Sequence, residues 1–449
     1  MKKLFTILFI LIIIATGAFF YFQSSSSSDN AEQGIVKTIT DFFPNAGTRT
    51  INVVNNFFGG SATSSGGAPS GSQPPTTDLT AKFQAISNGP ISGATLVTIK
   101  STKTRTIKNK TTIISETSSS KVWYLDKASG YIYSYDPLTG GQTQLSNTTK
   151  LGINQIAWGL SAGFPRMILR SAKDQKMENY LAQVSNSASS TMGGLSGALL
   201  NANISELAVS PNQSQFFYLI SSQNGAVGYI GDFSGKQKDT QVFTSPYPEW
   251  KISWPEINTI LFQSAPLSDF PGLIYSFNLK TKSFTKILGG INGLTALMSP
   301  DGKKLLYAGS DLSLHLKILG EMDSNIPLGL ATLPEKCVWT KDSKGIYCSV
   351  PNTLSAGNEP ESWYQGLVSF TDSFWLINTT TGAKEQLFNP SSMTSQTKID
   401  GVNLFLSSKE DRLFVTDKQS EVLWMLNLGQ TLPTSGSPAM ATTSTSTKK

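Results

Sequence analysis

Histidine and cysteine are almost missing from this chain of 449 residues, which contains one His and two Cys. Two cysteines cannot build a disulfide-rich scaffold, and one histidine cannot complete a clustered zinc site with them. His315 itself lies in the alternating strand pattern Leu312–Ile318, opposite the apolar face of Leu314 and Leu316. Phosphate-loop and calcium-loop motifs are also absent from the sequence. We therefore predict no catalytic residue, no metal site and no cofactor.

Charge is missing from the 19-residue stretch Leu4–Phe22, which is long enough to cross a bilayer as a helix. Lys2 and Lys3 precede it, and no basic residue follows until Lys37. This asymmetry predicts a single-pass anchor with a cytoplasmic amino terminus and the rest of the chain outside. The alternative is a cleaved signal peptide and a secreted protein. No cysteine lies here, which excludes a lipoprotein.

Composition predicts four segments. Residues 1–22 form the cytoplasmic tip and anchor, and residues 23–77 form a stalk that is rich in Ser, Gly and Pro. Residues 78–429 contain nearly all of the strand patterns. The Thr- and Ser-rich tail 430–449 is expected to be disordered.

A strand–turn–strand sequence pattern recurs through residues 150–430. Its clearest copy is Ala296-Leu297-Met298, the turn Ser299-Pro300-Asp301-Gly302, and Leu305-Leu306-Tyr307. One residue marks the turn in each copy: Ser161, Ser210, Trp254, Ser299, Thr340 and Ser407. Successive markers are 49, 44, 45, 41 and 67 residues apart. A period of roughly 40–50 residues made of strands and turns indicates propeller blades.

Six marked turns and the segment Val122–Leu145 predict an all-β fold, a seven-bladed β-propeller of four-stranded antiparallel blades. Eight blades are the alternative if the long step from Thr340 to Ser407 contains another blade. Ring closure commonly uses strands from both chain ends in one blade. We expect Leu79–Lys100 to join Leu413–Leu428 for this purpose.

The turn Ser299–Gly302 with its flanking strands resembles the turns of WD-repeat and TolB-like propellers. The phrase Phe374–Asn378 with Thr381-Gly382 resembles their third blade strand, and the resemblance covers roughly residues 80–429. No blade ends in a Trp-Asp pair, which favours the TolB-like kind. The order of anchor, stalk and propeller is also similar to an uncharacterised family of bacterial envelope proteins. These resemblances imply an architecture and leave the function open.

Cys337 and Cys348 flank one predicted hairpin. If Trp339 pairs with Ile346 across the turn, the two cysteines face each other directly. Opposed positions bring Cβ atoms to about 4.5–5.5 Å, close to disulfide range. We predict a disulfide in the oxidising compartment that the topology implies, with two buried thiols as the alternative.

The sequence Gly159-Leu160-Ser161-Ala162-Gly163 matches the nucleophile elbow of serine hydrolases. That elbow requires a strand–turn–helix setting and a histidine base. Here it falls at a predicted turn between two strands, more than 150 residues from His315. We interpret it as a glycine-rich hairpin turn.

The dense basic run is Lys100, Lys103, Arg105, Lys108 and Lys110. Alternating polar residues of this kind are typical of a solvated edge strand, where lysine blocks edge pairing. Contact with an anionic envelope polymer or a lipid headgroup is the alternative. Nucleic acid is not expected as a partner, because the run lacks interleaved aromatics.

A long connection, Val350–Ser373, precedes the strand Phe374–Asn378. Connections of this length are uncommon in compact domains and tend to be functional or disordered. Its aromatic and acidic residues make it a candidate binding loop: Glu359, Glu361, Trp363, Tyr364 and Phe370. The alternative is that these aromatics pack back on the blade.

The sequence therefore predicts a membrane-anchored, extracytoplasmic propeller that is not an enzyme. It would serve as a scaffold that binds an envelope protein or an anionic envelope polymer. The alternative is an envelope hydrolase or lyase with its site at the mouth of the propeller channel. Scarce histidine, and no carboxylate cluster recognisable near the strand starts, argue against that alternative.

Overall fold

Antiparallel pairing of consecutive strands builds almost the whole structure. The structure is a computed structural model. It describes residues 81–107, 110–173, 176–185, 193–200, 203–322, 324–354 and 357–429. The strands form seven four-stranded sheets, and the first strands of neighbouring sheets contact one another. The chain is a seven-bladed β-propeller, so the predicted fold class is confirmed with seven blades. The predicted anchor, the predicted stalk 23–77 and the tail 430–449 lie outside the described residues. Among the described residues, no helix is long and apolar enough to cross a membrane.

Blades 1 to 3 follow the chain without interruption. Blade 1 contains β2 Ile91–Ile107, β3 Lys110–Asp126, β4 Ile132–Tyr135 and β5 Gln142–Gln144. Blade 2 contains β6 Ile153–Ser161, β7 Phe164–Lys173, β8 Lys176–Ser185 and β9 Gly194–Leu199. Blade 3 contains β10 Ile204–Val209, β11 Gln215–Ser222, β12 Gly225–Asp232 and β13 Thr240–Ser245.

Blades 4 to 7 include the few short helices. Blade 4 contains β14 Trp250–Glu256, β15 Thr259–Ser264, β16 Pro271–Asn278 and β17 Phe284–Asn292; blade 5 contains β18 Thr295–Met298, β19 Lys304–Ala308, β20 Ser313–Ile318 and β21 Ile326–Ala331. Blade 6 contains β22 Cys337–Trp339, β23 Gly345–Pro351, β24 Asp372–Asn378 and β25 Lys384–Phe388. Blade 7 contains β26 Gly401–Leu406, β27 Arg412–Asp417, β28 Leu423–Asn427 and β1 Phe83–Ala85. A helical turn, α1 Glu361–Tyr364, lies between β23 and β24, and 3-10 turns cover Pro334–Lys336 and Pro390–Ser392.

A hydroxyl at the start of the turn organises the connections between first and second strands. Ser299 Oγ donates to Asp301 Oδ1 at 2.6 Å and accepts from Lys304 N at 2.9 Å. Thr340 repeats the pattern, donating to Asp342 Oδ1 at 2.7 Å and accepting from the backbone five residues later at 2.8 Å. Short polar side chains can form hydrogen bonds with the backbone groups of a turn in this way. The Ser/Thr-x-Asp pattern therefore marks these turns in the sequence.

The connections between first and second strands share one face of the ring, which we call the lower face. Leu160 N donates to Gln213 O between blades 2 and 3, and Asp301 N donates to Ser343 Oγ between blades 5 and 6. Lys341 N likewise donates to a Glu410 carboxylate oxygen between blades 6 and 7. The opposite, upper face carries the connections between second and third strands and those between successive blades.

The ring closes in blade 7 by pairing both ends of the propeller. β1 pairs antiparallel with β28, with Phe83 opposite Leu426 and Ala85 opposite Trp424. The expected closure is therefore present, but only Phe83–Ala85 takes part in it. Residues 91–100 instead belong to the first strand of blade 1, because their pairing partners lie in β3.

The predicted disulfide is present between Cys337 and Cys348. The register of β22 and β23 pairs Cys337 with Cys348 and Trp339 with Ile346, as the sequence predicted. Both cysteines are buried in a cluster that also contains Leu306, from blade 5. The bridge therefore fastens the two strands nearest the axis in blade 6.

The basic run lies in the first two strands of blade 1, which pair with each other from Ile91 opposite Asp126 to Ile107 opposite Lys110. In the part that carries the run, each strand pairs only with the other, in agreement with the predicted edge position. The third strand reaches only Val122–Leu125 of β3. The hairpin from residue 98 to residue 120 therefore extends past the blade at the lower face. We call this segment the arm.

Phe83→Ala should open the closing strand. Phe83 is buried and stacks on Trp424 at 4.9 Å between ring centroids, with Phe374 and Phe388 of blade 6 at 5.5 and 5.4 Å. We expect a loss of about 3–5 kcal/mol in the free energy of unfolding, measured by urea denaturation. Exposed Lys82→Ala is the matched control and should change little. Equal stability of the two variants would show that β1 is dispensable.

Candidate functional site

The candidate binding loop packs against the upper face. We call residues 352–371 the cap. Trp363, Tyr364 and Phe370 are only 2%, 2% and 4% exposed and form one cluster with Leu312 and Leu333. The alternative interpretation of the sequence is therefore correct: these aromatics pack back on the propeller. Whether the cap also contacts a partner stays a prediction, but its aromatic side chains are not presented to one.

Contacts of the helical turn α1 in the cap reach several blades. A Glu361 carboxylate oxygen accepts from Ser268 N in blade 4. Lys418 Nζ of blade 7 lies 4.0 Å from the centre of the Trp363 ring and donates to the Trp363 carbonyl oxygen. Lys251 Nζ, from the first strand of blade 4, lies 4.6 Å from the centre of the Tyr364 ring. The cap therefore connects blades 4, 6 and 7 at the upper face.

A fully buried ion triad lies beneath the cap. Lys336 Nζ lies 2.8 Å from Asp372 Oδ2 and also contacts Asp400, and all three side chains are 0% exposed. Lys336 precedes β22, Asp372 begins β24, and Asp400 precedes β26, so the triad joins blades 6 and 7. Burial lowers the pKa of Lys336, but the two carboxylates outweigh burial and raise it. Burial also raises the pKa of Asp372, to about 6.

Hydrogen bonds from the cap complete the triad. Trp363 Nε1 donates to the two Asp400 carboxylate oxygens at 2.9 and 3.1 Å, and Phe370 N donates to Asp400 Oδ2 at 3.1 Å. Lys336 Nζ lies 5.2 Å from the centres of both the Trp363 and Phe370 rings. A buried charge needs such partners, so the position of the cap depends on the triad and the triad depends on the cap.

A second group of charges lies near the starts of the first strands. Lys251 Nζ lies 3.3 Å from Glu335 Oε2, joining blade 4 to the segment that enters blade 6. Partly buried Glu206, in the first strand of blade 3, is close enough to Lys251 and Arg170 for both to lower its pKa. Burial outweighs them and raises the pKa of Glu206 to about 7.

Carboxylates also lie near strand starts at the upper face, where the sequence analysis recognised no cluster. They come from three blades and are Glu206, Glu335, Asp372 and Asp400. Asp372 and Asp400 share Lys336, and Glu335 pairs with Lys251. Within the described residues, no group of three His, Cys, Asp or Glu side chains could hold a metal ion.

The two remaining sequence candidates occupy ordinary strand and turn positions. Ser161 ends β6, and only Ala162 and Gly163 separate it from β7, so the elbow-like phrase forms a hairpin. His315 in β20 stacks on Tyr307 at 5.3 Å, and its Nδ1 lies 2.7 Å from Asn325 Oδ1.

The arm is the longest strand pair that the structure describes. β2 and β3 have 17 residues each, whereas the other strands have ten or fewer. At its base, Ser120 Oγ lies 2.6 Å from Ser408 Oγ in the lower turn of blade 7. About ten residue pairs beyond this base project roughly 30 Å at the rise of a β-strand. Lys100, Lys103 and Arg105 belong to β2, and Lys110 begins β3; Lys108 lies outside the described residues.

Comparisons with known proteins give distant similarities to solved structures. No protein-family model matches the chain, and the search of curated proteins gives no match. Among solved structures, an oligogalacturonate lyase from Vibrio parahaemolyticus is similar, with 10% identity and a TM-score of 0.47 over 68% of this chain and 85% of that one. TolB from Acinetobacter baumannii is 11% identical over 64% and 78% of the chains, with a TM-score of 0.34. The Dos1 propeller is 11% identical over 70% and 77%, with a TM-score of 0.41.

Lys336→Met should be strongly destabilising, because it leaves Asp372 and Asp400 adjacent without their buried counter-charge. We expect a loss of about 3–5 kcal/mol in the free energy of unfolding. The double variant K336M/D372N removes one carboxylate charge as well and should recover part of that loss. Urea denaturation measures both. If the double variant loses the sum of two independent single effects, the triad is not a coupled unit.

Glu206→Gln should stabilise the protein more at alkaline than at acidic pH. The folded-state pKa of Glu206 lies above its ordinary value, so the stabilisation linked to its proton is complete below about pH 4 and is lost as pH rises through about 7. The neutral amide avoids that loss. We expect a gain on the order of 1 kcal/mol between about pH 5 and pH 8, measured by thermal denaturation. Glu249→Gln, at an exposed position, is the matched control. A stability difference between Glu206→Gln and the native protein that did not change with pH would contradict the raised pKa of Glu206.

Proposed function

We propose that this protein is a membrane-anchored, extracytoplasmic propeller that serves as a binding scaffold in the cell envelope. Its partner would be an envelope protein or an anionic envelope polymer. The arm is the observation that carries this proposal. It projects beyond the blade and pairs with no third strand. Its first strand carries Lys100, Lys103 and Arg105, and its second strand begins with Lys110.

The state of the buried charges at the upper face supports binding over catalysis. Lys336 is enclosed by two carboxylates and two aromatic rings, and all of its neighbours are buried. A catalytic acid or base must reach a substrate within hydrogen-bond distance. The side chains of Lys336, Asp372 and Asp400 are fully buried, so none of them is placed to reach a substrate.

Two features support the extracytoplasmic location. Leu4–Phe22 is uncharged and follows two lysines, which favours an anchor with its amino terminus inside. The Cys337–Cys348 disulfide fits an oxidising compartment, because such bonds are rare in the cytosol.

One observation favours a second candidate, an enzyme with its site at the channel mouth. Glu206 is only partly buried, and its raised pKa, about 7, suits a general acid or base near neutral pH. Lys251 and Glu335 would then orient a substrate beside it. Loss of the biological phenotype in Glu206→Gln without any loss of stability at neutral pH would favour this candidate over the scaffold.

The proposal is tested by crosslinking on cells that express the full chain. A membrane-impermeant, lysine-reactive crosslinker is added to cells with a permeabilised outer layer. The native chain is compared with a variant in which Asn-Gly replaces residues 99–119, since β3 joins the third strand only from Val122 onward. We expect crosslinked adducts of the native chain, and we expect the short-arm variant to lose them at an unchanged melting temperature.

The two ways of failing are separate. A chain that the reagent does not modify until the cytoplasmic membrane is broken contradicts the location. A chain that is modified but forms the same adducts with and without the arm contradicts the role of the arm. Shortening the exposed turn at Thr381-Gly382 provides a control for altered lower-face turns.

A further inference from the structure

Both ends of the propeller leave from the lower face. β1 begins there, because Phe83 pairs with Leu426 near the lower end of β28. Ala81 O accepts from Asn427 Nδ2 at 3.0 Å, and Leu428 N donates to Asp411 O in the lower turn of blade 7. The chain that precedes the propeller therefore joins it on the same face from which the arm projects.

Charge is distributed unequally between the two faces. Among described residues, the connections of the upper face contain eight carboxylates and five lysines. Those of the lower face, with Lys82 before β1, contain seven carboxylates and nine lysines. Several lower carboxylates, such as Asp301 and Asp342, accept hydrogen bonds within their own turns. The arm adds four basic residues and one Glu to the lower face.

We propose that the lower face, with the arm foremost, docks on the anionic headgroups of the membrane that holds Leu4–Phe22, so that the capped upper face points away. The inference rests on the anchor in the proposed function and names the surface that the arm contacts. The anchor alone does not fix the orientation, because 55 residues separate it from the propeller region, enough for either face to turn toward the membrane.

The range of the electrostatic force explains why the arm matters. The potential of anionic lipid falls off within about 8 Å at physiological ionic strength. Lysines in short turns reach this layer only when the whole face lies on it, whereas an arm of roughly 30 Å enters it first. A basic residue near an anionic surface contributes about a fivefold factor to the bound population. Reversing three of them should therefore remove docking.

The test measures the orientation of the full-length chain on liposomes. Leu138 and Leu151 are 59% and 62% exposed and lie at the lower and upper ends of the same blade. A donor dye is placed on Leu138→Cys or on Leu151→Cys, while the native cysteines remain paired. Energy transfer to an acceptor lipid is compared on phosphatidylglycerol–phosphatidylcholine liposomes and on phosphatidylcholine alone.

Docking predicts stronger transfer from position 138 than from position 151 on the anionic liposomes. The difference should vanish on phosphatidylcholine and at about 1 M salt, where the Debye length is about 3 Å. K103E/R105E/K110E should reduce the docked population by roughly tenfold or more. The charge-conserving triple K103R/R105K/K110R should retain it, and K398E at the upper face should leave it unchanged.

Each contrary result identifies what has failed. Protein that does not float with liposomes at high salt lacks the anchor, so the proposed function fails first. Protein that floats but transfers equally from both positions, or more from position 151, overturns the docking. A difference that survives charge reversal overturns the role of the arm. Retention on an immobilised anionic polysaccharide through the same three residues, without lipid-dependent transfer, would assign the arm to a polymer and overturn the lipid proposal.

Discussion

Closure of the ring by β1 is the constraint on which the other contacts depend. A blade buries its two faces only against its neighbours, so an open seam would expose apolar surface on both sides of it. Three residues at the start of the propeller complete the blade formed by its last three strands. Phe83 then fills the space between blades 6 and 7, where it meets aromatics from both. The pairing between strands more than 300 residues apart in sequence therefore holds the remaining blades in register around the axis.

The seam between blades 6 and 7 is reinforced at the upper face by ionic contacts. The Lys336 triad links the entrance of blade 6 to the entrance of blade 7, and Trp363 of the cap donates to the same Asp400 carboxylate. Removing these charges from water is costly, so the triad specifies one arrangement of the cap more than it adds stability. The opposite face is built from hydroxyl-capped turns, and the Arg412–Asp411 ion pair there lies within one blade. This division leaves the lower face free to carry a basic surface.

What the sequence predicted correctly was local. The hydroxyl–turn–strand phrase at Ser299 and the opposition of Cys337 and Cys348 depend on residues within a dozen positions of each other. The triad could not be predicted, because Lys336 and Asp400 are 64 residues apart and meet only through the ring. The edge position of the basic run followed from the alternation of its polar residues, but that local pattern did not show that both strands extend past the blade. The aromatics of the cap were recognised as exceptional, but whether Trp363 faced solvent or core depended on those distant partners.

The position of β1 has a mechanical consequence. A pull on the chain before Phe83, directed away from the lower face, acts along the axis of β1, because the strand begins at that face and runs toward the other. The ladder between β1 and β28 is then loaded in shear, and its three residue pairs share the force instead of breaking one by one. A pull that separated the two chain ends sideways would peel the same strands apart in sequence. The strand that completes the ring would thus be the first part of the propeller to bear a force applied at its amino-terminal end, and the direction of that force would decide how well the strand holds.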